Sequence, residues 1–571
     1  MVVNKNAENV IHDLSLVFCG EAGQGIQTIE YILTRVLKLD GFFCFATKEY
    51  MSRVRGGSNS TQIRVSSDRV AAFVDRIDLL IPLDQDAIPH LEKRISKKTL
   101  IIGEKGKIKT SYNMVDVPFS ELATSIGNPV FSNVIAVGLI AGLLKVDKTI
   151  LEGYLRKHFS KKKDDLIQKN IQAVNKGYLI GEDFVKSNLI KLEISRNSVI
   201  KDEVLINGAE AVSMGALKGG CNFISAYPMS PSTGVLTFLA GKSHEFGVFV
   251  DQAEDEISGI NMGLGASFAG ARALVSTSGG GFALMAEGVS LAGMIETPIV
   301  IHVAQRPGPA TGLPTRTEQS DMELVLYAGH GEFPRIIFSP GTIEDAFYLT
   351  DKAFALADKY QIPVFILTDQ FLMDSFYAVD KFNINEQTDK RFITKTESSY
   401  KRFRLTDDGI SPRGIPGFGD GLVVVDSDEH DEEGHLTENL DIRIQMVDKR
   451  LKKLDAIKKD IIAPELIGSK DYTKLIICWG TPVLPLREAV GKLNREDIAI
   501  LYFKQVYPIH PDVNKYLKKA GKIIIIEGNA TAQFAKLIKL YNNVEIDNKI
   551  LKYNGSPFSV EELTEKLKQF I

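Results

Sequence analysis

Short, continuous apolar runs alternate with amphipathic helical stretches along most of this chain, and that alternation restricts the folds open to it. Runs of this length are typical of strands buried on both faces of parallel sheets. The pattern therefore predicts doubly wound α/β domains. The predicted strands are 14–19, 79–82, 99–102, 273–276, 298–303, 335–338, 363–368, 474–479, 498–503 and 522–527, and the predicted helices include 342–359, 441–459 and 531–540.

Length and charge limit the kinds of protein that this chain can be. Its 571 residues predict three or four domains. The net charge is −4, and no basic stripe is interleaved with aromatic residues, so we expect no nucleic-acid partner. The N-terminal residues lack the apolar core of a signal peptide, and no stretch approaches the roughly 18 apolar residues of a membrane span. We expect a cytoplasmic protein with no membrane partner.

The cysteines are far apart in the sequence, at Cys19, Cys44, Cys221 and Cys478. None forms a C-x-x-C pair, so we do not expect this chain alone to build an iron–sulfur or zinc site. Cys19 and Cys478 end apolar runs, which predicts buried thiols.

Two segments interrupt the alternation of strands and helices. Residues 185–202 are polar and predict a linker, and residues 385–468 show no clear alternation. The second segment contains an acidic run with His430 and His435, and histidines among carboxylates can bind metal. Their spacing fits no standard helical ligand pair, so we favour a solvated loop or an interface. A last α/β unit then closes the chain.

The loop Tyr227-Pro-Met-Ser-Pro-Ser-Thr-Gly234 follows an apolar run at 223–225 that predicts the end of a strand. Prolines on both sides of Ser230 restrict the backbone. A loop this stiff holds the Ser230 hydroxyl in one place, which is typical of binding loops. The alternative is a rigid strand-to-helix turn with Ser232 or Thr233 as the N-cap.

A glycine-rich turn, Gly20-Glu-Ala-Gly-Gln-Gly25, lies between the first predicted strand and a helical stretch. Such a turn can bring backbone N–H groups and a helix N-terminus toward an anion. The order of its glycines differs from the dinucleotide fingerprint, so a phosphate site and a simple tight turn both fit. Nearby Arg53 and Arg55 could grip a phosphate-bearing group or line an interface. The candidate residues for this site are Gly20, Gly23, Gly25, Arg53 and Arg55.

Glu256 is the last of three acidic residues that open a predicted helix over 257–270. Acidic residues suit the positive end of a helix dipole, which explains one or two of them. Gly259, Gly263 and Gly270 lie on or near one face, which predicts close approach of another backbone or a ligand. A partly desolvated Glu256 would have a raised pKa and could share a proton with a bound heterocycle.

Two more loops follow predicted strands. Ser276-Thr-Ser-Gly-Gly-Gly-Phe282 precedes a helix expected to begin near Ala283, and Thr277 or Ser278 could cap that helix. Its glycines leave room for a partner, although structure alone would explain them.

The second loop, 305–315, sets three prolines and two glycines around Arg306, with hydroxyls at Thr311 and Thr315. A guanidinium fork at the carboxyl end of a strand suits a ligand carboxylate. We therefore predict that Arg306 and Ser230 clamp a carboxylate and a carbonyl, and the alternative is a structural ion pair for Arg306.

In their order and spacing, the loops at 227–231 and 306–315, the Glu256 helix and the glycine turn at 278–281 resemble the α subunit of 2-oxoacid:ferredoxin oxidoreductases. Residues 20–25 and 53–58 resemble the γ domain of that family, here fused ahead of α. Residues 505–511 and 552–558 resemble its transketolase C-terminal-like domain. The resemblance implies a γ domain at 1–190, a pyrimidine-binding thiamine diphosphate domain at 200–390, an irregular linker at 391–468 and the transketolase C-terminal-like domain at 469–571.

The resemblance also implies the chemistry. Glu256 matches the glutamate that hydrogen-bonds the aminopyrimidine of thiamine diphosphate, and Ser278 and Gly279 fall in the cofactor-binding turn. The implied substrate-binding residues are Tyr227, Pro228, Ser230, Arg306, Thr311 and Thr315. A separate β subunit is expected to supply Mg²⁺, the diphosphate site and a [4Fe–4S] cluster, in an (αγ/β)₂ assembly. Ferredoxin would take the electrons and coenzyme A the acyl group, with no metal bound by this chain.

The substrate is the least determined part of the prediction. The family loop reads Tyr-Pro-Ile-Thr-Pro, whereas this chain has Met229 and Ser230 in the middle of it. We expect 2-oxoglutarate, with pyruvate, branched-chain and aryl 2-oxoacids as alternatives. A transketolase-type enzyme would need a diphosphate motif in this chain, and the only candidate, at 419–421, lacks the Asn-Asn pair that should follow it. A nucleotide-binding scaffold that uses residues 20–25 is the non-enzymatic alternative.

Overall fold

The computed structural model describes residues 10–52, 57–385 and 391–571. Its strands are β1 Asp13–Glu21, β2 Phe43–Glu49, β3 Ser58–Ser66, β4 Leu79–Pro82, β5 Leu100–Gly103, β6 Met114–Asp116, β7 Val204–Asn207, β8 Phe223–Ala226, β9 Phe249–Gln252, β10 Ala273–Thr277, β11 Ile299–Gln305, β12 Ile336–Phe338, β13 Pro363–Asp369, β14 Phe376–Val379, β15 Glu465–Gly468, β16 Lys474–Trp479, β17 Ile498–Phe503, β18 Gln505–Tyr507, β19 Lys522–Glu527 and β20 Asn548–Leu551.

The helices are α1 Ile26–Asp40, α2 Ala87–Leu91, α3 Phe119–Thr124, α4 Ser132–Leu143, α5 Lys148–His158, α6 Asp164–Lys186, α7 Gly208–Lys218, α8 Thr233–Phe246, α9 Glu256–Phe268, α10 Gly279–Leu284, α11 Ala286–Met294, α12 Met322–Tyr327, α13 Ile343–Tyr360, α14 Gln370–Asp374, α15 Leu440–Ile457, α16 Val483–Leu493, α17 Val513–Lys519, α18 Gln533–Asn542 and α19 Val560–Lys568. Short 3₁₀ turns occupy Glu92–Arg94, Pro129–Phe131 and Ser198–Asp202.

The chain forms two compact units. One contains the described residues up to Ile206 together with Ser375–Lys381, and the other contains Asn207–Asp374 and the described residues from Phe382 to Ile571. Each unit alternates strands and helices, so the predicted α/β fold class is confirmed. The division into four domains at 190, 200, 390 and 468 stays a prediction.

The first unit contains a mixed sheet in the order β6-β5-β4-β1-β3-β2-β14-β7. Strands β1, β4, β5 and β6 are parallel, as expected from their buried apolar runs. Strands β2 and β3 form an antiparallel hairpin, and β3 also pairs antiparallel with β1. The expectation of parallel sheets was therefore incomplete here. Strand β3 is buried, but its polar residues, such as Gln62 and Arg64, do not form an apolar run. Their side chains can be buried because they are hydrogen-bonded inside the unit.

Helices α4 and α6 of the first unit touch along their backbones. A Cβ added to Gly138 on α4 would lie 2.0 Å from the carbonyl oxygen of Val174 on α6. A Cβ added to Gly177 on α6 would lie 1.9 Å from the carbonyl oxygen of Ile135 on α4. Glycine is required on both helices because any side chain would push their axes apart, and this contact fixes the core of the unit.

The second unit contains two sheets, in the orders β18-β12-β13-β11-β10-β8-β9 and β15-β17-β16-β19-β20. The predicted strands of this unit are present, with ends that move by two residues or fewer. Pairs inside both sheets are parallel. The antiparallel strands are the edge strands β18 and β15, which the apolar pattern did not predict because they are short.

Between 391 and 439, the described residues form no helix or strand, and buried arginines fasten this irregular segment to the second unit. Arg402 donates to the side-chain oxygen of Gln361 at 2.9 Å and to the carbonyl oxygen of Glu296 at 2.7 Å. Arg413 donates to Asp358 at 3.1 Å. Helix α15 then follows the segment, and its Lys449 and Lys453 lie 2.6 Å and 2.5 Å from the buried Glu296 carboxylate.

All four cysteines are buried, as predicted for Cys19 and Cys478. In the described ranges, none of the helices combines the length and the apolar run needed to cross a bilayer.

Candidate functional site

Four neighbouring strands of the second unit deliver the predicted site residues to one edge of their sheet. Strands β9, β8, β10 and β11 are adjacent and parallel. Because the carboxyl ends of parallel strands meet at the same edge, the loops that follow them converge there. The loop after β9 leads to Glu256, the loop after β8 contains Ser230, the turn after β10 contains Ser278, and Arg306 follows β11 directly.

The structure brings Arg306 and Ser230 together, and the predicted clamp on a ligand stays a prediction. Nη1 of Arg306 donates a hydrogen bond to the backbone carbonyl oxygen of Ser230 at 2.7 Å. The Nε atom of Arg306 is buried and has no hydrogen-bond partner. Burial lowers the pKa of the guanidinium, and the charges of Asp321 and Glu256 oppose that shift. Among the described residues, Arg306 therefore has one buried donor without a partner and makes no ion pair within 4 Å.

Glu256 begins helix α9, and its side chain is 3% exposed. The N-cap of this helix is Asp255, whose carboxylate accepts from the backbone N–H of Ser258 at 2.8 Å. Oε1 of Glu256 is buried without a hydrogen-bond partner. Burial raises the pKa of Glu256, and the neighbouring charge of Asp255 raises it further. The carboxyl can therefore hold a proton more readily than an exposed glutamate.

The triple-glycine turn is the surface against which two carboxyl groups lie. A Cβ added to Gly281 would lie 2.3 Å from Oε1 of Glu256, and one added to Gly279 would lie 2.2 Å from Oδ2 of Asp321. Gly280 has no such neighbour, because its nearest atom is the carbonyl oxygen of Ala310 at 3.6 Å. Only two of the three glycines are therefore required by packing.

Helix α10 begins at Gly279, so the prediction of a helix start near Ala283 was wrong. Ser278 is its N-cap residue but makes no side-chain capping bond. Its hydroxyl is fully buried and has no hydrogen-bond partner. The helix start was placed too late because the first turn contains three glycines, and glycine has a low helix propensity.

The helical glycines of α9 fit the prediction in part. A Cβ added to Gly263 would lie 2.6 Å from Cγ2 of Val275, so the helix lies tightly against the sheet. The carbonyl oxygen of Gly259 accepts a hydrogen bond from the Ser225 hydroxyl at 2.6 Å. Gly270 lies beyond the helix with a φ of +100°, so its placement on the helix face was wrong. Its role is to let the chain leave the helix.

The remaining predicted residues lie on the same two loops. Tyr227 is 40% exposed, and Pro228 is half-buried. Thr315 is buried, whereas Thr311 is exposed. At the start of helix α8, Ser232 holds the N-cap position without a side-chain capping bond, and its hydroxyl donates to the carbonyl oxygen of Met229 at 2.7 Å. That bond stiffens the Ser230 loop from inside.

Asp321 is a member of the site that the sequence did not reveal. Its backbone N–H donates to Oε1 of Gln305 at 3.0 Å, which ties it to the end of β11 beside Arg306. Its Oδ2 atom is buried without a hydrogen-bond partner. Burial and the charge of Glu318 raise the pKa of Asp321 to about 6, against the opposing charge of Arg306. The sequence gives no motif for Asp321, because its contact with Gly279 exists only in the folded chain.

The glycine-rich turn of the first unit forms part of a separate cleft of about 560 Å³. Gly23 and Gly25 have φ values of +95° and +75°, and Gly25 precedes helix α1. Gly20 lies close to Gln24, since a Cβ there would be 2.2 Å from Oε1 of Gln24. Apolar walls of the cleft include Phe119 and Phe131.

The predicted Arg53 and Arg55 lie outside the described residues.

The expectation of a solvated loop or an interface fits His435, whose side chain is 65% exposed, but a solvated loop was wrong for His430. This ring is fully buried, its Nδ1 lies 3.0 Å from the carbonyl oxygen of Asp428, and its centroid lies 3.9 Å from that of Phe403. Glu429 pairs with Arg443 and Arg450. Among the described residues, no group of three or more His, Cys, Asp or Glu side chains is placed to hold a metal ion.

Comparisons with known proteins show which family this chain resembles. The family described as "Pyruvate flavodoxin/ferredoxin oxidoreductase, thiamine diP-bdg" matches residues 214–449, and the family described as "Pyruvate ferredoxin/flavodoxin oxidoreductase" matches residues 15–180. The chain is 32% identical to the 2-oxoacid:ferredoxin oxidoreductase subunit alpha of Sulfolobus sp, over 98% of this chain and 97% of that protein.

Two further proteins are similar over different lengths. The 2-oxoglutarate synthase subunit KorA of Methanocaldococcus jannaschii is 31% identical over 63% of this chain and 97% of its own length. The 2-oxoglutarate:ferredoxin oxidoreductase of Magnetococcus marinus, solved with 2-oxoglutarate, coenzyme A and succinyl-CoA bound, superposes with a TM-score of 0.91 at 28% identity. That match covers 98% of this chain and 99% of the other.

The fold and the matched families define an oxidoreductase chain with a thiamine diphosphate-binding domain. The chain belongs to the 2-oxoacid:ferredoxin oxidoreductase family.

Proposed function

We propose that this chain is the α/γ chain of a CoA-acylating 2-oxoacid:ferredoxin oxidoreductase that acts on 2-oxoglutarate together with a separate β subunit. The observation that carries the proposal is the convergence of Arg306, Ser230 and Glu256, with buried polar atoms still free to bind. The names of the similar KorA protein and of the Magnetococcus marinus enzyme favour 2-oxoglutarate. Pyruvate, branched-chain and aryl 2-oxoacids are the alternative substrates.

Thiamine diphosphate fits the polar atoms at the glycine turn. Oε1 of Glu256 and Oγ of Ser278 are buried and lack partners, which suits the ring nitrogen and amino group of an aminopyrimidine. Gly281 leaves room for the Glu256 carboxyl against the turn, and Gly280 has no atom nearer than 3.6 Å to an added Cβ. When bound, the cofactor supplies the carbon nucleophile and the electron sink that decarboxylation needs. Glu256, with its raised pKa, would hold the proton shared with the ring.

Arg306 is proposed to bind the carboxylate of the 2-oxoacid. Its Nη1 is anchored on the Ser230 carbonyl, so the guanidinium plane is fixed while Nε remains free. The Ser230 hydroxyl would then reach the 2-oxo carbonyl. The other proposed contacts with the substrate come from Tyr227, Pro228, Thr311 and Thr315.

Coenzyme A is proposed to contact the first unit through the glycine-rich turn. The N-terminus of helix α1 follows Gly25, and a helix start favours a phosphate. The apolar walls of the adjoining cleft suit the uncharged part of a long acyl carrier.

The remaining parts of the proposal concern the assembly. A β subunit would supply the diphosphate site, Mg²⁺ and a [4Fe–4S] cluster that passes electrons to ferredoxin, in an (αγ/β)₂ complex in the cytoplasm. The proposal includes the four divisions of the chain predicted from the sequence. These are the γ domain, the pyrimidine-binding domain, the linker and the transketolase C-terminal-like domain.

Reconstitution tests the proposal. The chain should be inactive alone and should reduce ferredoxin with a 2-oxoacid, coenzyme A and thiamine diphosphate once its β subunit is added. A screen of 2-oxoglutarate, pyruvate, branched-chain and aryl 2-oxoacids should give the highest kcat/KM for 2-oxoglutarate. Strong activity of the lone chain would contradict the assignment. A higher kcat/KM for another 2-oxoacid would overturn the choice of 2-oxoglutarate and leave the rest of the assignment standing.

A further inference from the structure

The side chain of Gln319 lies where the sheet β15-β17-β16-β19-β20, the terminal sheet, would be expected to hold a ligand. Strand β16 lies between β17 and β19, and these three strands are parallel. The chain runs from β16 to β17 on one side and later adds β19 on the other side. The carboxyl ends of β16 and β19 therefore border the switch point at which open α/β sheets bind ligands.

Gln319 binds to both sides of this crevice. Its Nε2 donates to the carbonyl oxygen of Trp479, the last residue of β16, at 2.8 Å. Its Oε1 accepts from the backbone N–H of Gly528, just after β19, at 2.8 Å, and its own backbone N–H donates to the carbonyl oxygen of Gly528 at 2.7 Å. The residue is 2% exposed. A buried amide with both ends paired holds its backbone in one place.

Two glycines make room for this amide. A Cβ added to Gly480 would lie 2.7 Å from Nε2 of Gln319, and one added to Gly528 would lie 3.1 Å from its Cγ and Oε1. The crevice therefore fits the glutamine closely, with a residue of the same chain in the place of a ligand.

Gln319 belongs to the loop 306–321, which contains the proposed substrate residues Arg306, Thr311 and Thr315. The loop lies within the described part of the chain and forms no helix or strand. Its two ends are joined, because the backbone N–H of Asp321 donates to Oε1 of Gln305 at 3.0 Å. A contact that fixes one arm of this loop therefore also restricts the arm that begins at Arg306.

The chain that follows the strands of the terminal sheet holds the same arm at two more points. The backbone N–H of Thr317 donates to the carbonyl oxygen of Gly555, beyond β20, at 3.2 Å. The carbonyl oxygen of Ser320 accepts from Nε2 of Gln533, at the start of α18, at 2.8 Å. Gln319 is the central contact of the three, and its side chain enters the crevice.

We propose that the terminal sheet uses its ligand crevice to hold the loop 306–321, and that Gln319 is the positioning residue through which this sheet sets the 2-oxoacid site. The inference rests on the proposed function of Arg306 and Thr315. Groups that bind a reacting substrate must be placed accurately, since a misplacement of about 1 Å can cost about hundredfold in rate. A loop without regular structure obtains that accuracy from the edge of a rigid sheet.

Gln319→Met tests the proposal because it keeps the length of the side chain and removes both hydrogen bonds of the amide. In the enzyme reconstituted with its β subunit, KM for the 2-oxoacid should rise by about tenfold, the value of one to two hydrogen bonds. The KM for coenzyme A and the Kd for thiamine diphosphate should stay at their wild-type values. In the lone chain, the emission of Trp479, the only tryptophan, reports whether the terminal sheet is folded, because its side chain is fully buried.

A matched pair of alanine variants approaches the contact from the terminal sheet. Gly528→Ala crowds Gln319 and should raise KM for the 2-oxoacid, by less than Gln319→Met does. Gly521→Ala, just before the other end of β19, should leave KM unchanged, because its Cβ would lie 3.4 Å from the nearest atom, the carbonyl oxygen of Thr473. If Gln319→Met does not fold, this pair decides, and equal KM values in the two variants would overturn the proposal.

Arg306→Gln, measured in parallel, separates the two levels of inference. An unchanged KM in Arg306→Gln would mean that the proposed substrate site itself is wrong. If Arg306→Gln raises KM while Gln319→Met keeps the wild-type value, only the role of Gln319 is overturned. Equal rises in KM for the 2-oxoacid, KM for coenzyme A and Kd for thiamine diphosphate in Gln319→Met would show a general loss of structure, which would also overturn that role.

Discussion

The guanidinium of Arg306 donates a hydrogen bond from Nη1 to the backbone carbonyl oxygen of Ser230, 2.7 Å away. This bond joins the loops that follow two strands of the same sheet and fixes the direction of the arginine fork. Because the acceptor is a backbone atom, it does not depend on the identity of residue 230. The position of Arg306 and the chemistry of the Ser230 side chain can therefore be tested separately.

Replacing Arg306 should chiefly impair binding of the 2-oxoacid. We expect Arg306→Gln to raise KM by about tenfold to hundredfold, because hydrogen bonds to charged groups contribute about 1.5–3 kcal/mol. Arg306→Lys keeps the charge but loses the planar fork, and it should recover part of the affinity. Steady-state kinetics of the reconstituted enzyme measures both. A KM that equals the wild-type value in Arg306→Gln would remove the arginine from the substrate site.

Ser230→Ala should leave the Arg306 hydrogen bond intact and remove only the hydroxyl. We expect kcat/KM for the 2-oxoacid to fall by about threefold to tenfold, the value of one neutral hydrogen bond. Ser230→Thr keeps the hydroxyl and should retain activity, so it is the control. Competition between 2-oxoglutarate and pyruvate would report any change in selectivity. Full activity of the alanine variant would show that the hydroxyl does not contact substrate.

The glycine turn offers a matched pair of alanine substitutions. Gly281→Ala should displace the Glu256 carboxyl, since the new Cβ would lie 2.3 Å from its Oε1, and turnover should fall sharply. Gly280→Ala places its Cβ 3.6 Å from the nearest atom, so near-normal turnover is expected. Thermal unfolding of both variants checks that the fold survives. Equal losses in the two variants would mean that displacement of the Glu256 carboxyl is not the cause, since alanine favours a helix more than glycine does.

Glu256→Gln should abolish decarboxylation while the chain still assembles with its partner. The substitution should also change stability with pH. Because burial raises the pKa of Glu256 in the folded chain, its protonated form stabilises the fold at low pH, and that stability is lost as pH rises from the unfolded value of about 4.3 through the folded pKa. Glu256→Gln should therefore melt at a higher temperature than wild type at pH 7, with a smaller difference at pH 4. An unchanged difference across that range would contradict the raised pKa.

The buried Glu296 cluster should control the stability of the second unit. Its carboxylate lies between Lys449 and Lys453 of helix α15, and all three side chains are about 1% exposed. Glu296→Gln would leave two buried ammonium groups without a counter-charge, so we expect the free energy of unfolding to fall by about 3–5 kcal/mol. Lys458→Gln is the control, just after the end of helix α15. It removes the exposed Lys458–Asp455 ion pair and should lower the free energy of unfolding by less than about 1 kcal/mol. Urea unfolding measures both, and similar small losses would contradict the buried network.

Much of the fold was predictable because buried parallel strands have a strong signature. The runs at 474–479, 498–503 and 522–527 are strands with those bounds. Strand β3 was missed because its buried side chains are polar and are satisfied by partners far along the chain, such as Asp13 for Arg64. His430 was misjudged for a similar reason, since an acidic neighbourhood predicts solvent whereas Phe403 and the surrounding chain bury the ring.

The sequence by itself determined which residues could carry chemistry: stiff loops after strands place Ser230, Glu256 and Arg306 near one edge of a sheet, and the pattern of strands follows from local apolar runs. Only the tertiary structure decided that Arg306 donates a hydrogen bond to the backbone oxygen of Ser230. It also decided that carboxyl groups pack against two of the three glycines, and that one of these carboxyl groups belongs to Asp321. The physical reason is that burial, desolvation and charge interaction depend on neighbours in space, and the spacing of residues along the chain does not encode them.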